Sequence, residues 1–236
     1  MTSTVIEQKS EIFYPSEDGE PLAESYEHVD AILMTLEVLR EYLAGQQATV
    51  LADQFLYYSE GMPRLRVAPD VMVIFDVAPG GRDHYKIWAE GQVPRVIFEM
   101  TSPSTRQQDL GFKYTLYGQL GVAEYWLFDP KGEWIEEQLR GYRLVGETYE
   151  LIEGGLSAAL GLRLVAEGRL IGFYRQDTGE RLLLASELRD AWEQERARAE
   201  QERERAEQER ERAEQERARA DALAAQLREL GVEPNS

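Results

Sequence analysis

The chain contains no cysteine. That excludes a disulfide framework and a thiolate zinc site, and it makes a reducing compartment the expectation. Long hydrophobic runs are missing as well. No stretch reaches the roughly 18 consecutive apolar residues of a membrane span, and the opening MTSTVIEQKSEIFYPSEDGE lacks the apolar core of a signal peptide. The expectation is a soluble, cytoplasmic protein with no membrane partner. Positive charge is scarce: 26 Lys and Arg stand against 44 Asp and Glu, a formal net charge of -18. This balance argues against a non-specific nucleic-acid binder with a broad basic surface, because phosphate binding draws on clustered Lys and Arg. It does not exclude metal-dependent phosphodiester chemistry, whose sites are built from carboxylates.

What is present is a 236-residue chain with 43% hydrophobic content, enough for one domain with a sizeable core and something left over. The composition changes sharply near residue 187. From there Ala, Glu, Gln and Arg dominate, with no Gly or Pro before Gly231, and a seven-residue repeat of the type AEQERER starts at Ala199, Ala206 and Ala213. These are strong helix formers, so 187–236 is expected to be a long charged helix appended to a domain spanning 1–186. One heptad seam position carries Trp192, Ala199, Ala206, Ala213, Ala220 and Leu227. Its partner position carries Glu195, Glu202, Glu209 and Glu216, and only Leu223 and Leu230 restore an apolar residue there. The pattern leaves two forms open: a continuous coiled coil, or a solvated helix that pairs at most through its Leu-containing end.

In the body, Val29, Ile32, Leu33, Leu36, Leu39 and Leu43 recur at helical spacing within 24–45 and end at Gly45, which predicts a first helix. Two strands are expected at 48–60 and 66–77, a third at 95–100, a helix after it, and a buried strand at 124–130 ended by Asp-Pro. From 134 to 184 strand-like runs alternate with glycine turns, read as β-hairpins extending the sheet. The order fits an α/β or α+β layer fold, not a repeating βαβ one.

Three polar residues interrupt the most apolar part of this body. Asp70 precedes VMVIF, Glu99 ends RVIF, and Lys113 lies on the following helix. A carboxylate at the end of a buried strand is costly unless it is paired or binds a cation, and a divalent metal relieves the repulsion between two of them. Taken singly, each has a plainer explanation: Pro-Asp as a turn, Glu99 as a salt-bridged sheet-edge residue, Lys113 as a solvated helix residue. Asp109, Lys113 and Tyr117 lie four apart on one helical face, beside an apolar face of Phe112, Leu116 and Leu120. That spacing would let Lys113 turn towards the end of the Glu99 strand.

The combination of 67-VAPDVMVIF-75 with 97-IFEMTSPSTRQQDLGFKYTLYGQLGVAEYWLFDP-130 and the early helix around His28 resembles the Uma-two family of endonuclease-like proteins, within the PD-(D/E)XK nuclease superfamily. The resemblance covers about residues 20–186. It implies a restriction-endonuclease-like fold, a mixed β-sheet core flanked by helices, here with added β-hairpins and the long C-terminal charged helix. It implies catalytic roles for Asp70, Glu99 and Lys113, with Asp70 and Glu99 holding Mg2+ or Mn2+ and Met100 offering its carbonyl. The superfamily places its lysine two residues after the second acid. Thr101 stands there in this chain, so Lys113 on the adjoining helix is the expected substitute. Glu24, His28, Asp109 and Tyr117 are accessory candidates; for His28 a satisfied structural histidine is the alternative. Asp129 suits a supporting or packing role. Ser102 and Ser104 around Pro103 are read as helix caps, with phosphate contact as the alternative, and Tyr125 and Trp126 as core.

Two functions follow from these features. The first is a Mg2+-dependent endonuclease hydrolysing phosphodiester bonds of DNA, expected as a homodimer aided by the C-terminal helix. The second is a non-catalytic interaction protein that keeps the nuclease fold and assembles through that helix.

Overall fold

Ser25 starts the first helix by accepting the His28 backbone N–H on its hydroxyl at 3.3 Å, and the helix, α1, runs over Tyr26–Tyr42. In the computed structural model, which describes residues 12–17, 19, 25–102 and 105–229, the chain divides into two units, Met1–Leu182 and Leu183–Ser236. The buried face of α1 is His28, Ala31, Ile32, Thr35, Val38 and Leu39. Val29 and Leu33, expected on that face, are exposed. The face is set by what α1 packs on, strand β1 Ala48–Ala52 and, further along, the strand Leu170–Arg175. Two small or polar residues, Ala31 and Thr35, permit that close approach.

Both early strands are interrupted where a single run was expected. After β1 the chain turns at Asp53, which takes a left-handed φ of 52°, a conformation Asp tolerates better than most residues. It then resumes as β2 Leu56–Tyr57. The second run divides at Pro69, which has no N–H to give to a ladder, into β3 Arg66–Val67 and β4 Val71–Phe75. The Asp53 N–H donates to the Pro69 carbonyl at 3.2 Å, joining the two breaks. With β5 Tyr85–Lys86, β2 and β3 form a small three-stranded sheet in the order β3-β2-β5.

The short α2 Ile87–Glu90 leads to β6 Val96–Met100. A wide π-helical turn, Gln108–Lys113, then runs into α3 Tyr114–Leu120, and β7 Glu124–Phe128 follows. The hairpin β8 Leu139–Val145 and β9 Thr148–Ile152 continues the main sheet, whose order is β1-β4-β6-β7-β8-β9. Only β6 and β7 are parallel; every other neighbour is antiparallel. The last strands, β10 Leu156–Ser157, β11 Leu162–Glu167 and β12 Leu170–Arg175, do not extend this sheet but form a separate antiparallel one. Their expected place in the main sheet is corrected accordingly.

Strands β4, β6 and β7 are covered on both faces, which is why their sequences read as continuous apolar runs. On one face Met72, Ile74, Ile97, Tyr125 and Leu127 form a core with Tyr117 of α3. On the other, Phe98 meets Trp126 at 6.4 Å and Phe173 of β12 at 6.2 Å between ring centroids. Trp126 lies directly across from Gly141 on β8, where a Cβ would fall 2.5 Å from the indole. Glycine at 141 is therefore a packing requirement of Trp126.

The second unit contains the helix α4, Ala185–Glu229. Residues 201–222 are exposed on every side of it. The side chains of Trp192, Glu195, Ala199, Leu223 and Leu227, and all of Leu230, lie outside the described residues. No helix among the described residues is long and apolar enough to cross a membrane.

Candidate active site

The antiparallel register of β4 and β6 pairs Val71 with Phe98 and Met72 with Ile97. Continued by one residue, it sets Asp70 opposite Glu99. By strand alternation both fall on the face occupied by Met72, Ile97 and α3. Two carboxylates separated by 29 positions in sequence are thus brought together at the point where β6 is about to leave the sheet.

Glu99 has no exposed surface, yet both its oxygens have donors. The Lys113 ammonium lies 2.7 Å from Oε2, and the Tyr117 hydroxyl donates to Oε1 at 2.6 Å. Lys113 also lies 2.9 Å from Oδ1 of the buried Asp109, one turn earlier on the same helix. The π-helical turn is what aligns Asp109 and Lys113 on the strand while α3 carries Tyr117 to the same carboxylate; such turns recur at functional sites. It also rotates the expected apolar face. Phe112 and Leu110 are exposed, and Leu116 and Tyr117 carry the packing instead.

Asp70 is held by Oδ2, which accepts the Met100 backbone N–H at 2.5 Å and lies 3.7 Å from Nε2 of the buried His28. Both contacts fall on the same oxygen, so Oδ1 is the one free of them. The structure therefore gathers Asp70, Glu99, Lys113, His28, Asp109 and Tyr117 in one cluster. Glu24 and Ser104 lie outside the described residues. Ser102 exchanges side-chain and backbone hydrogen bonds with Thr105 at the entry of the helix, as a cap does.

Three carboxylates around one lysine set the electrostatics. Burial, and then the neighbouring Glu99, push the Asp70 carboxyl well above its ordinary range. Burial raises Glu99 too, opposed by Lys113 and reinforced by Asp109. For Lys113 burial acts downward, but Glu99, Asp109 and Asp70 outweigh it and hold the ammonium above its ordinary value. Burial and the adjacent Glu99 raise Tyr117 strongly, so its phenol stays a donor.

Among the described residues no group of three or more His, Cys, Asp or Glu gathers tightly enough to cage a metal ion. The donor set is two hard carboxylates facing each other. That suits Mg2+ or Mn2+, which bind through one or two carboxylates and keep waters and substrate oxygens, better than an all-protein cage.

Other polar residues flagged by sequence, or missed by it, have structural work. Asp129 gathers the backbone N–H groups of Lys131, Gly132, Trp134 and Ile135 and so shapes the loop after β7. Thr101, at the position where a lysine was looked for, is buried, and its N–H donates to the Phe128 carbonyl at 2.7 Å. Tyr125 and Trp126 are core. Glu124, not singled out in the sequence, is a further fully buried carboxylate in addition to Glu99, Asp109 and Asp129, bound by Ser157, the Ala159 N–H and the Trp126 indole. Its only sequence signal is its place at the head of an apolar strand, the mirror image of Glu99 at the tail of one.

Residues 8–169 match the family model Uma2, described as "Putative restriction endonuclease". No curated protein matches the chain. Among solved structures it is similar to a putative nuclease belonging to DUF820 from Anabaena variabilis. The identity is 16% and the TM-score 0.44, over 59% of this chain and 76% of that one.

Proposed function

The chain belongs to the Uma2 family, and from that premise we propose that it is a Mg2+- or Mn2+-dependent endonuclease hydrolysing phosphodiester bonds of DNA. The observation that carries this is the Lys113–Glu99 pair, 2.7 Å apart and buried, with Asp70 at the facing strand position. A fold gains little by burying such a cluster for stability alone, because desolvation of the charges offsets their attraction. Perturbed, mutually coupled groups at a strand end are what a hydrolytic site requires.

Asp70 and Glu99 are the residues that would hold the cation, with the Met100 carbonyl as a further oxygen; bound there, it would polarise the phosphate and acidify a water. Lys113 remains protonated at neutral pH because its carboxylate neighbours lift it. Its role is then to stabilise negative charge developing on the phosphoryl oxygens and to position the attacking water, not to accept a proton. Asp109 fixes the ammonium and Tyr117 fixes the Glu99 carboxylate, so both act as positioning residues. His28 orients Asp70 from the α1 side.

The test is plasmid nicking with Mg2+ or Mn2+ by the wild type and by Asp70→Ala, Glu99→Ala and Lys113→Ala. The wild type is expected to nick and the three variants to lose at least about a hundredfold, in line with removing a metal ligand or a charge stabiliser. Equal activity in all four proteins would sink the assignment. A homodimer aided by α4 is part of the same proposal, since cutting both strands calls for two sites. Truncation after residue 186 should lower the sedimenting mass per particle to that of one body; a truncated chain that still sediments as a dimer removes the helix from assembly.

A further inference from the structure

The hairpin between β2 and β3 ends in a tip, 62-MPRL-65, whose composition is unusual for a turn. Turns are ordinarily Gly, Asn, Asp, Ser and Pro, whose side chains solvate or bond the backbone. Here Met62 is 55% exposed and Leu65 37% exposed, on either side of Pro63 and the exposed Arg64.

The tip is held rigid. The Leu65 N–H donates to the Met62 carbonyl at 2.9 Å, and Arg66 Nη1 donates to the Pro63 carbonyl at 3.1 Å. Gly61, at a φ of +82°, donates its N–H to the Tyr14 hydroxyl at 2.7 Å. Two of these bonds close the tip on itself and the third ties it to Tyr14, so its apolar side chains stand on an ordered turn.

Three cations, Arg64, Arg66 and Lys86, stand on or beside the tip, with Glu60 and Asp83 as acidic neighbours, on a chain that is otherwise strongly acidic. Arg66 lies 4.2 Å over the Phe55 ring and Lys86 lies 4.4 Å over the Tyr14 ring. Among the described residues, Arg64, Arg66 and Lys86 are in no ion pair with a carboxylate, whereas Arg82 nearby is engaged by Glu90. Glu60 is the hairpin's one carboxylate. The base of the hairpin feeds directly into the site, since β3 ends three residues before Asp70. Asp70 lies eight positions after Met62, a reach of at most ~26 Å at about 3.3 Å per residue, which is within one turn of duplex DNA.

We infer that the Met62–Leu65 tip is a wedge that enters the minor groove of a DNA duplex and opens a base step beside the cleavage site, with Arg64 contacting the groove phosphates. The inference rests on the nuclease reading for its substrate. The chemistry is that of minor-groove proteins that insert Met, Leu or Pro between bases and set Arg beside them. Unstacking is compensated by the bend it permits, and in an acidic protein a local cation cluster is what lets the duplex approach.

The test uses the full chain with Ca2+ in place of Mg2+, so that binding is read without cleavage. The probe is a duplex of about 30 base pairs carrying a fluorophore at each end, which reports affinity by anisotropy and bending by energy transfer. The wild type is expected to bend the duplex. Met62→Ser/Leu65→Ser should weaken duplex binding at least about tenfold and remove the bend, while binding to the single strand of equal length is unchanged. Arg64→Ala should lower the slope of log affinity against log salt by about 0.9. The wedge is overturned if the double variant binds and bends the duplex as the wild type does, or if the wild type leaves the duplex straight. It is equally overturned if the double variant dissociates the protein into monomers with duplex affinity intact, which would make the tip a contact between copies. A wild type that nicks nothing with Mg2+ or Mn2+ yet shows tip-dependent bending with Ca2+ overturns the nuclease assignment and supports the wedge.

Discussion

Lys113 reaches back 14 residues to Glu99, its Nζ 2.7 Å from a carboxylate with no exposed surface. The two partners are not equivalent. If Glu99 is neutralised, Lys113 still has Asp109 at 2.9 Å; if Lys113 is removed, Glu99, Asp109 and Asp70 are left facing one another without a cation.

The first prediction follows from this asymmetry. Lys113→Met should destabilise the body by roughly 3–5 kcal/mol, the cost of stranding buried charge, and Glu99→Gln by less. The double variant should cost less than the sum of the two, because it strands fewer charges than Lys113→Met alone. Urea denaturation of the four proteins measures this; a strictly additive double variant would show that the pair is not coupled.

The second concerns pH. A carboxyl raised by burial and by Glu99, as Asp70 is, binds its proton more tightly in the fold than in the unfolded chain. Its contribution to stability is present below the ordinary value of 3.8 and is lost as pH rises from there through the raised value. Glu99 has the same sign, starting from 4.5. Lys113, raised, contributes through the whole neutral range and begins to lose its contribution only above 10.5. Without divalent ions, the wild type should therefore lose stability relative to Asp70→Asn as pH rises above about 4, and Mn2+ should restore more of it at the high end of the titration than at the low end. Melting curves across that range decide it, and parallel pH profiles for the two proteins would sink the idea.

The third isolates the tyrosine. Tyr117→Phe keeps the ring in the core with Tyr125 and Leu127 but removes the donor to Glu99 Oε1. A hydrogen bond to a buried carboxylate is worth about 1.5–3 kcal/mol. The variant should lose that much stability and also lower kcat with little change in KM, because a looser Glu99 misplaces the reacting groups once substrate is bound. A stability loss with kcat unchanged would make Tyr117 a packing residue only.

Much of this arrangement is legible in the residues themselves. Glu99 stands out because a charge at the end of VIFEM demands a partner, and the four-residue spacing of Asp109, Lys113 and Tyr117 points to the partners it has. The facing of Asp70 by Glu99 depends on strand register, which is set by pairing and cannot be counted off one chain. Other features depend on context that local pattern does not contain. The wide turn at Gln108–Lys113 exposes Phe112 although its spacing looked apolar, and α1 buries Ala31 and Thr35 in preference to Val29 and Leu33 because of what packs on it. The breaks at Asp53 and Pro69 were visible as residues but not as strand ends, since a continuous apolar run outweighs a single breaker in a pattern count.

The fourth prediction separates a carboxylate that serves the fold from one that serves chemistry. Glu124 and Glu99 are equally buried and lie on neighbouring parallel strands, but at opposite ends: Glu124 pairs in register with Val96, and Glu99 with Leu127. Glu124 is satisfied by the Ser157 hydroxyl and the Ala159 N–H at 3.1 Å, which tie β7 to the segment around β10, and by the indole of Trp126 on its own strand at 3.3 Å. A cationic neighbour, Arg143, lies 3.6 Å away and is partly exposed. Among the described residues, no second carboxylate and no lysine converge on it. Glu124→Gln should therefore cost about 1–3 kcal/mol of stability while leaving cleavage per folded molecule unchanged, whereas Glu99→Gln should abolish cleavage. Nicking rates normalised to the folded fraction compare the two directly. Equal loss of activity in both variants would mean that burial, not position at the C-terminal end of β6, is what the reaction depends on, and the site assignment would fall.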